Sequence, residues 1–229
     1  MSESSVLVVA AHPDDEILGC GGTIARYRKE GHPVSLLILA DGVGGRQESG
    51  SAPKAIELEE RQRCARRANS LLGVDDLTLL SYPDNRMDEV SLLDIVQDIE
   101  RALGRCKPAI VYTHHSSDVN IDHRRVHDAV ITACRPQPGQ CVRKLLFFET
   151  PSSTEWRPAT SLPSFEPQWF VDISDTLALK LQAMAAYGPE LRDFPHPRSL
   201  AAIEHLARWR GASIGLSAAE AFVLGRLIE

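Results

Sequence analysis

A chain of 229 residues, 43% hydrophobic and 24% charged, is long enough to bury a full α/β core. Its formal net charge of −6 argues against a nucleic-acid-binding surface, which needs a basic patch, but leaves room for an anionic small molecule held by a few arginines. No apolar run reaches the length of a membrane span, and the N-terminal Met-Ser-Glu-Ser-Ser lacks the basic and apolar regions of a signal peptide.

Strand-like apolar runs alternate with helical patterns along the chain. The strands are expected at Val6–Ala10, Val34–Ala40, Leu77–Leu80, Ala109–Thr113, Leu145–Glu149 and Phe170–Ile173. Helices are expected at Gly21–Glu30, Ala52–Leu72, Ser91–Cys106, His123–Arg135, Leu177–Tyr187, Ser199–Gly211 and Ala218–Leu227, the last packing on the domain or on a partner subunit. Strands separated by helices of about ten residues or more pair in parallel through right-handed crossovers. The fold class is therefore α/β, a three-layer Rossmann-like sandwich with a mostly parallel sheet, and residues 1–229 read as a single domain. The charged stretch at 52–72 is a solvated helix face. The proline-rich 150–168 segment is a long loop of the kind that sets specificity. Cys20, Cys64, Cys106, Cys134 and Cys141 are odd in number and lack a C-x-x-C pair. They read as free thiols of a reducing cytoplasm, not as a disulfide framework or a zinc–thiolate site.

Two polar clusters stand where strands end. The first, Ala11-His12-Pro13-Asp14-Asp15-Glu16, follows the first strand. Adjacent carboxylates there are costly to bury without a compensating cation. The second, His114-His115-Ser116-Ser117-Asp118-Val119-Asn120-Ile121-Asp122-His123, follows the fourth long strand and ends where a helix begins. Open α/β sheets bind ligands beyond the carboxyl ends of their strands. His12, Asp15 and His123 together supply two imidazoles and one carboxylate, the three-protein-ligand set of a catalytic zinc site. The same donors suit Fe2+, Co2+ and Mn2+.

On these residues the chain resembles the PIG-L / LmbE-like family of metal-dependent N-acetylglucosaminyl deacetylases. The resemblance rests on Ala11-His12-Pro13-Asp14-Asp15-Glu16, on the later Asp122-His123 and on the alternating α/β layout. It implies that His12, Asp15 and His123 bind the metal and that Asp14 is the general base. Asp122 then orients a histidine ring from behind, and Glu16 either bonds to nearby backbone or touches substrate. One departure stands out: where many members carry a histidine three residues before the last ligand, this chain has Asn120. An amide can donate to an oxyanion but cannot shuttle a proton near neutral pH. Either Asp14 carries all proton transfer, or another histidine contributes, the candidates being His114, His115, His127 and His196. His196 is set beside Arg198 in Phe194-Pro195-His196-Pro197-Arg198, a rigid loop that presents both to a substrate. Arg46, in the glycine-rich Asp41–Arg46 loop, is a second arginine placed to clamp substrate. Asp84-Asn85-Arg86 is either a rim element or a plain turn.

The reading that results is hydrolysis of the N-acetyl group of an amino sugar or glycoconjugate by a cytoplasmic enzyme without a nucleic-acid partner or a membrane span, with a homo-oligomer open. An amidase acting on a thiol conjugate in the same metal site is the alternative. A nucleotide-binding module is a third reading. Gly19-x-Gly21-Gly22 lacks the dinucleotide-fingerprint spacing, and helix–strand packing accounts for it better.

Overall fold

The computed structural model describes residues 5–44, 55–159 and 163–229. Seven strands form one sheet: β1 (Val6–Ala10), β2 (Val34–Ala40), β3 (Asp76–Tyr82), β4 (Ile110–His114), β5 (Lys144–Phe148), β6 (Trp169–Asp172) and β7 (Ala219–Leu227). Their order across the sheet is β3-β2-β1-β4-β5-β7-β6. β1 pairs in parallel with β2 and β4, β2 with β3, and β4 with β5, whereas β7 runs antiparallel to both β5 and β6. The helices are α1 (Asp15–Lys29), α2 (Ala55–Leu71), α3 (Leu92–Cys106), α4 (Ile121–Ala133), α5 (Leu177–Ala185) and α6 (Leu200–Ala212).

Alternation along the strands builds two cores. Val6 and Val8 of β1 face one side with Ile17, Ile24, Ala65, Met184 and Ile203, so α1, α2, α5 and α6 cover that face. Leu7 and Val9 face the other side with Ile95, Ile99, Val126 and Val130 of α3 and α4. The strand order reverses between β1 and β4. At such a switch point the two flanking crossovers leave on opposite faces and open a crevice at the carboxyl ends of the strands. Both polar clusters flank it.

Two elements differ from the sequence reading. The C-terminal segment expected as a helix over Ala218–Leu227 is strand β7, pairing Phe222 with both Phe148 and Trp169. Its alanine- and leucine-rich composition favours helix. The hydrogen-bonding edges of β5 and β6 override that preference, and Ala219–Phe222 are buried between them. The first helix begins at Asp15, six residues before the expected Gly21. Glycines mask the start, and they are there for close packing: a Cβ on Gly19 would lie 2.3 Å from Phe148 and one on Gly22 2.8 Å from Ile173. The helix breaks locally at Cys20 (φ −150°, ψ 24°). The Glu220 carboxylate of β7 accepts from the freed N–H groups of Gly22 (3.0 Å) and Thr23 (2.7 Å), as a helix N-cap would. Lys180 of α5 neutralises that carboxylate at 2.6 Å and donates to the Leu18 carbonyl. The restart of α1 is thus anchored to the last strand by a buried ion pair.

Candidate metal centre

β1 ends in a tight turn in which His12 accepts from the Asp15 N–H through its carbonyl and donates its own N–H to Asp15 Oδ2 at 2.9 Å. The turn brings the His12 ring over the Asp15 carboxylate, with Nδ1 to Oδ2 at 3.1 Å. From the first turn of α4, His123 Nε2 reaches the same oxygen at 3.2 Å and His12 Nδ1 at 3.3 Å. Three donor atoms, two from one turn and the third from a distant helix, thus meet at one point, and all three residues are buried. Atoms bound to zinc at about 2.0–2.1 Å in a tetrahedron lie roughly 3.3–3.4 Å apart. The observed edges match that spacing, and Asp15 Oδ1 is buried with no hydrogen-bond partner. The donor set and its spacing fit a divalent cation.

The far side of each imidazole is held by carboxylates. His12 Nε2 lies 2.9 Å from Asp122 and 3.2 Å from Asp84. Asp122 is itself fixed by the N–H groups of Asn85 and Met87. His123 Nδ1 lies 3.0 Å from Asp118, which also accepts from Ser153, from Thr154 and from the Asn120 N–H. A carboxylate on the outer nitrogen fixes the tautomer that leaves the inner nitrogen free to bind a metal. Burial opposes a charge on His123, but Asp15 and Asp118 outweigh it and push its pKa up to about 9. Burial likewise opposes a charge on His12, whose pKa is nevertheless held well above the usual range by Asp122, Asp15 and Asp84. Asp15 is buried too, and the histidines pull its pKa well below the usual carboxylate value. These carboxylates create a field that calls for positive charge at the point where the three donors meet.

The other expected residues take distinct places. Asp14, at the N-terminus of α1, has φ 126°, a strained value for a side chain other than glycine. It is buried, and its Oδ2 lies 3.1 Å from Arg198 Nη1. Burial raises its pKa to about 6, with Arg198 pulling in the opposite direction. Glu16 is fully buried and has no exposed edge for substrate. Its Oε2 accepts from the Asp14 N–H, and its Oε1 accepts from Asn69 and the Tyr187 hydroxyl. Burial pushes its pKa up to about 7 against the pull of those donors.

Asn120 caps α4. Its Oδ1 accepts from the Asp122 N–H and its Nδ2 donates to Asn85, so both ends of the amide are engaged. His196 is not brought to the three donors: its Nδ1 accepts from the Arg198 N–H at 3.0 Å, and its ring meets the edge of Trp156. Arg198 also donates to Ser152. His114 stacks on His123 with ring centroids 4.0 Å apart. It accepts from the Ala11 N–H through Nε2, and burial holds its pKa well below the usual value. It therefore reads as a neutral ring that tethers β1 to β4. His115 packs against Phe165, and His127 against Phe147. Arg46 lies outside the described residues.

Sequence reasoning did not single out Asp118, Asn69, Tyr187 or the run Ser152-Ser153-Thr154. Asp118 was legible as an acidic residue in the second cluster. No sequence signal marks the three hydroxyl residues, which reach the site only because the loop after β5 folds back over it.

Several known proteins are similar to this chain. The deacetylase YaiS of Escherichia coli K12, itself uncharacterized, is 29% identical over 185 residues, covering 78% of this chain and 88% of its own length. The diacetylchitobiose deacetylase of Thermococcus kodakarensis is 28% identical over 197 residues, covering 80% and 68%. In structure, the 4-carboxy-2-hydroxymuconate hydratase GalB of Pseudomonas putida KT2440 superposes with a TM-score of 0.77 over 99% of this chain and 98% of its own, at 22% identity, a likeness of fold alone. Residues 7–134, which hold His12, Asp15 and His123, match the PIG-L family, described as GlcNAc-PI de-N-acetylase, and the chain belongs to that family.

Proposed function

We propose that this protein is a metal-dependent hydrolase that removes the N-acetyl group from an N-acetylglucosamine-type sugar or its conjugate. The observation that carries the reading is the convergence of His12, Asp15 and His123, with a separate carboxylate, Asp14, next in sequence to one of the donors and bonded to an arginine rather than to the histidines. The diacetylchitobiose deacetylase among its relatives supports the substrate class. The fold by itself does not, since the hydratase of Pseudomonas putida shares it.

His12, Asp15 and His123 would hold the cation, and two nitrogens with one carboxylate oxygen suit zinc first, with Fe2+, Co2+ and Mn2+ as alternatives. A cation bound there acidifies water and polarises the acyl carbonyl. Asp14 is the general base: it takes a proton from the attacking water at its carboxylate and returns it to the leaving amine. Arg198 holds that carboxylate in place and presents positive charge beside it. His196 acts through Arg198, fixing the arginine's backbone, which makes it a positioning residue. Asn120 sets the start of α4 and with it the position of His123. Asp122 and Asp118 orient the two imidazoles, and Glu16 ties down the strained Asp14 backbone. Arg46 retains the role of substrate clamp on its sequence position alone.

The chain acts as a single domain, 1–229, on a small-molecule or glycoconjugate amino sugar, as a cytoplasmic protein that can form a homo-oligomer. Among the described residues no helix is long and apolar enough to cross a membrane.

The test is acetate release from a panel of N-acetylglucosamine derivatives by the purified protein. Activity should vanish with a chelator and return with a divalent metal. Metal-loaded protein inert toward the panel but active on another N-acyl or thiol-conjugated substrate would move the reading to that amidase. Protein that binds no stoichiometric metal would overturn the reading.

A further inference from the structure

Four charged side chains gather at the strained turn of Asp14. Arg198 reaches Asp14 from the loop before α6, Arg61 comes from α2, and Glu190 from Gly188–Glu190, a single helical turn after α5. Glu190 is only 4% exposed and lies between the two arginines. Its Oε1 is 2.6 Å from Arg61 Nη2, and its Oε2 is 3.7 Å from Arg198 Nη1. The turn that carries it is fixed by the Glu190 N–H, which donates to the Tyr187 carbonyl, and by the Tyr187 hydroxyl on Glu16. Arg61 is also held from the other side, donating through Nε (3.2 Å) and Nη2 (2.9 Å) to the Gly42 carbonyl. Gly42 in turn packs on the residue before Asp14: its φ is 71°, and a Cβ there would lie 2.7 Å from Pro13.

Asp14 itself is bonded on one side. Its Oδ2 accepts from Arg198 at 3.1 Å, whereas Oδ1 accepts from no described residue. A carboxylate can take a guanidinium donor at each oxygen, and Arg61 is near enough for its charge to act on Asp14. The second arginine is kept from the base because Glu190 and the Gly42 carbonyl occupy it. Two carboxylates and two guanidinium groups then balance. Without Glu190, two largely buried cations would share Asp14 as their counterion, since an unpaired charge in such a place is costly. Stability alone gives little reason for a carboxylate at 190, because apolar side chains of similar volume often serve a buried site as well as an ion pair does. Its place beside the base supplies the reason.

We infer that Glu190 is a positioning residue: by engaging Arg61 it confines Asp14 to a single arginine bond at Oδ2 and leaves Oδ1 open to receive the proton. The proton-accepting role rests on the deacetylase reading. The arrangement of the four charges does not.

The two are tested apart. Arginine side-chain NMR on the intact protein, with zinc added, follows the Arg61 Nε–H signal without any need for turnover. Asp14→Asn should shift that signal little in the wild-type background, where Arg61 faces Glu190. In Glu190→Ala, Arg61 turns to Asp14, so adding Asp14→Asn should shift it clearly. Equal responses in the two backgrounds overturn the proposal. Glu190→Asp, which keeps the charge but draws it back by one methylene, gives the same comparison if the alanine variant does not fold. Misplacement of a catalytic group by about 1 Å can cost about 10²-fold, so kcat for acetate release should fall roughly 10- to 100-fold in Glu190→Ala, with metal content unchanged. In an Arg61→Met background the same substitution should change kcat by no more than about twofold, the scatter of uncoupled sites. An equal fall in both backgrounds would leave Glu190 a purely structural role and overturn the inference. If no N-acetylglucosamine derivative releases acetate while the Arg61 signal responds as expected, the deacetylase reading fails and the hold of Glu190 on Arg61 stands.

Discussion

Replacing Asp118 by asparagine tests whether the outer carboxylates matter to the metal centre. Asp118 Oδ1 accepts from the Asn120 N–H and the Ser153 hydroxyl, and Oδ2 accepts from Thr154 and faces His123 Nδ1 at 3.0 Å. All four neighbours donate, so an amide NH2 confronts two donors whichever way it turns. If the NH2 faces His123, the imidazole relieves the clash by moving its proton to Nε2, the nitrogen that meets Asp15 and His12. A protonated Nε2 cannot bind a metal. Burial alone would raise the Asp118 pKa, yet His123 and the Ser153 hydroxyl hold it down at about 2, so the negative charge is intact in the wild-type protein over the working pH range. Loss of such an outer partner typically weakens metal binding about 10- to 100-fold, which corresponds to roughly 1.4–2.8 kcal/mol. Competition against a chromogenic chelator measures this directly, with a thermal melt of the metal-free variant as the control for folding. Wild-type metal affinity in a variant that melts like wild type would refute the argument.

Further predictions follow from neighbouring contacts. Asp14→Asn should keep near-normal metal content by elemental analysis while turnover falls about 10²- to 10⁴-fold, the usual contribution of a general base; lost metal with retained turnover would reverse the roles of Asp14 and Asp15. Arg198→Ala removes the cation that opposes the burial-raised pKa of Asp14. The base must be deprotonated to act, so the acid limb of the kcat/KM profile should move to higher pH, and a limb that stays put or moves down would exclude Arg198 from this role. Gly19→Ala puts a Cβ 2.3 Å from the Phe148 ring. Overpacking of that kind costs about 1–3 kcal/mol and should lower the denaturant midpoint.

The parallel sheet and its helices were readable because each strand carries its own apolar run and each crossover its own period. The two elements that escaped owe their form to partners elsewhere. β7 becomes a strand because β5 and β6 offer it edges, and α1 starts early because its glycines trade helix propensity for contact with Phe148 and Ile173. The same division holds in the site. His12 and Asp15 are three residues apart in one turn, so their meeting is a local matter that spacing reveals. His123 was legible because it opens a helix beyond a strand end. Ser153 and Thr154 join Asp118 only through the path of a loop, and Asn69 and Tyr187 reach Glu16 from α2 and from the turn after α5, so nothing in their own neighbourhood announces them.

The six-residue motif therefore works by sending consecutive side chains to different tasks. His12 and Asp15 face the donor cluster, Asp14 faces Arg198, and Glu16 turns into the core toward Asn69 and Tyr187. A regular helix start could not separate Asp14 from Asp15 in this way, and the φ of 126° at Asp14 is the local distortion that does. Strain of this kind costs about 1–3 kcal/mol and persists only where surrounding contacts over-determine it. Glu16 supplies one such contact by accepting the Asp14 N–H while itself held by two donors from the core. A carboxylate suits that place because all three of its partners donate: a glutamine would set its NH2 against one of them. The three donors hold a carboxylate there against the burial that pushes its pKa up to about 7, and its bond to the Asp14 N–H helps keep the Asp14 side chain apart from that of Asp15.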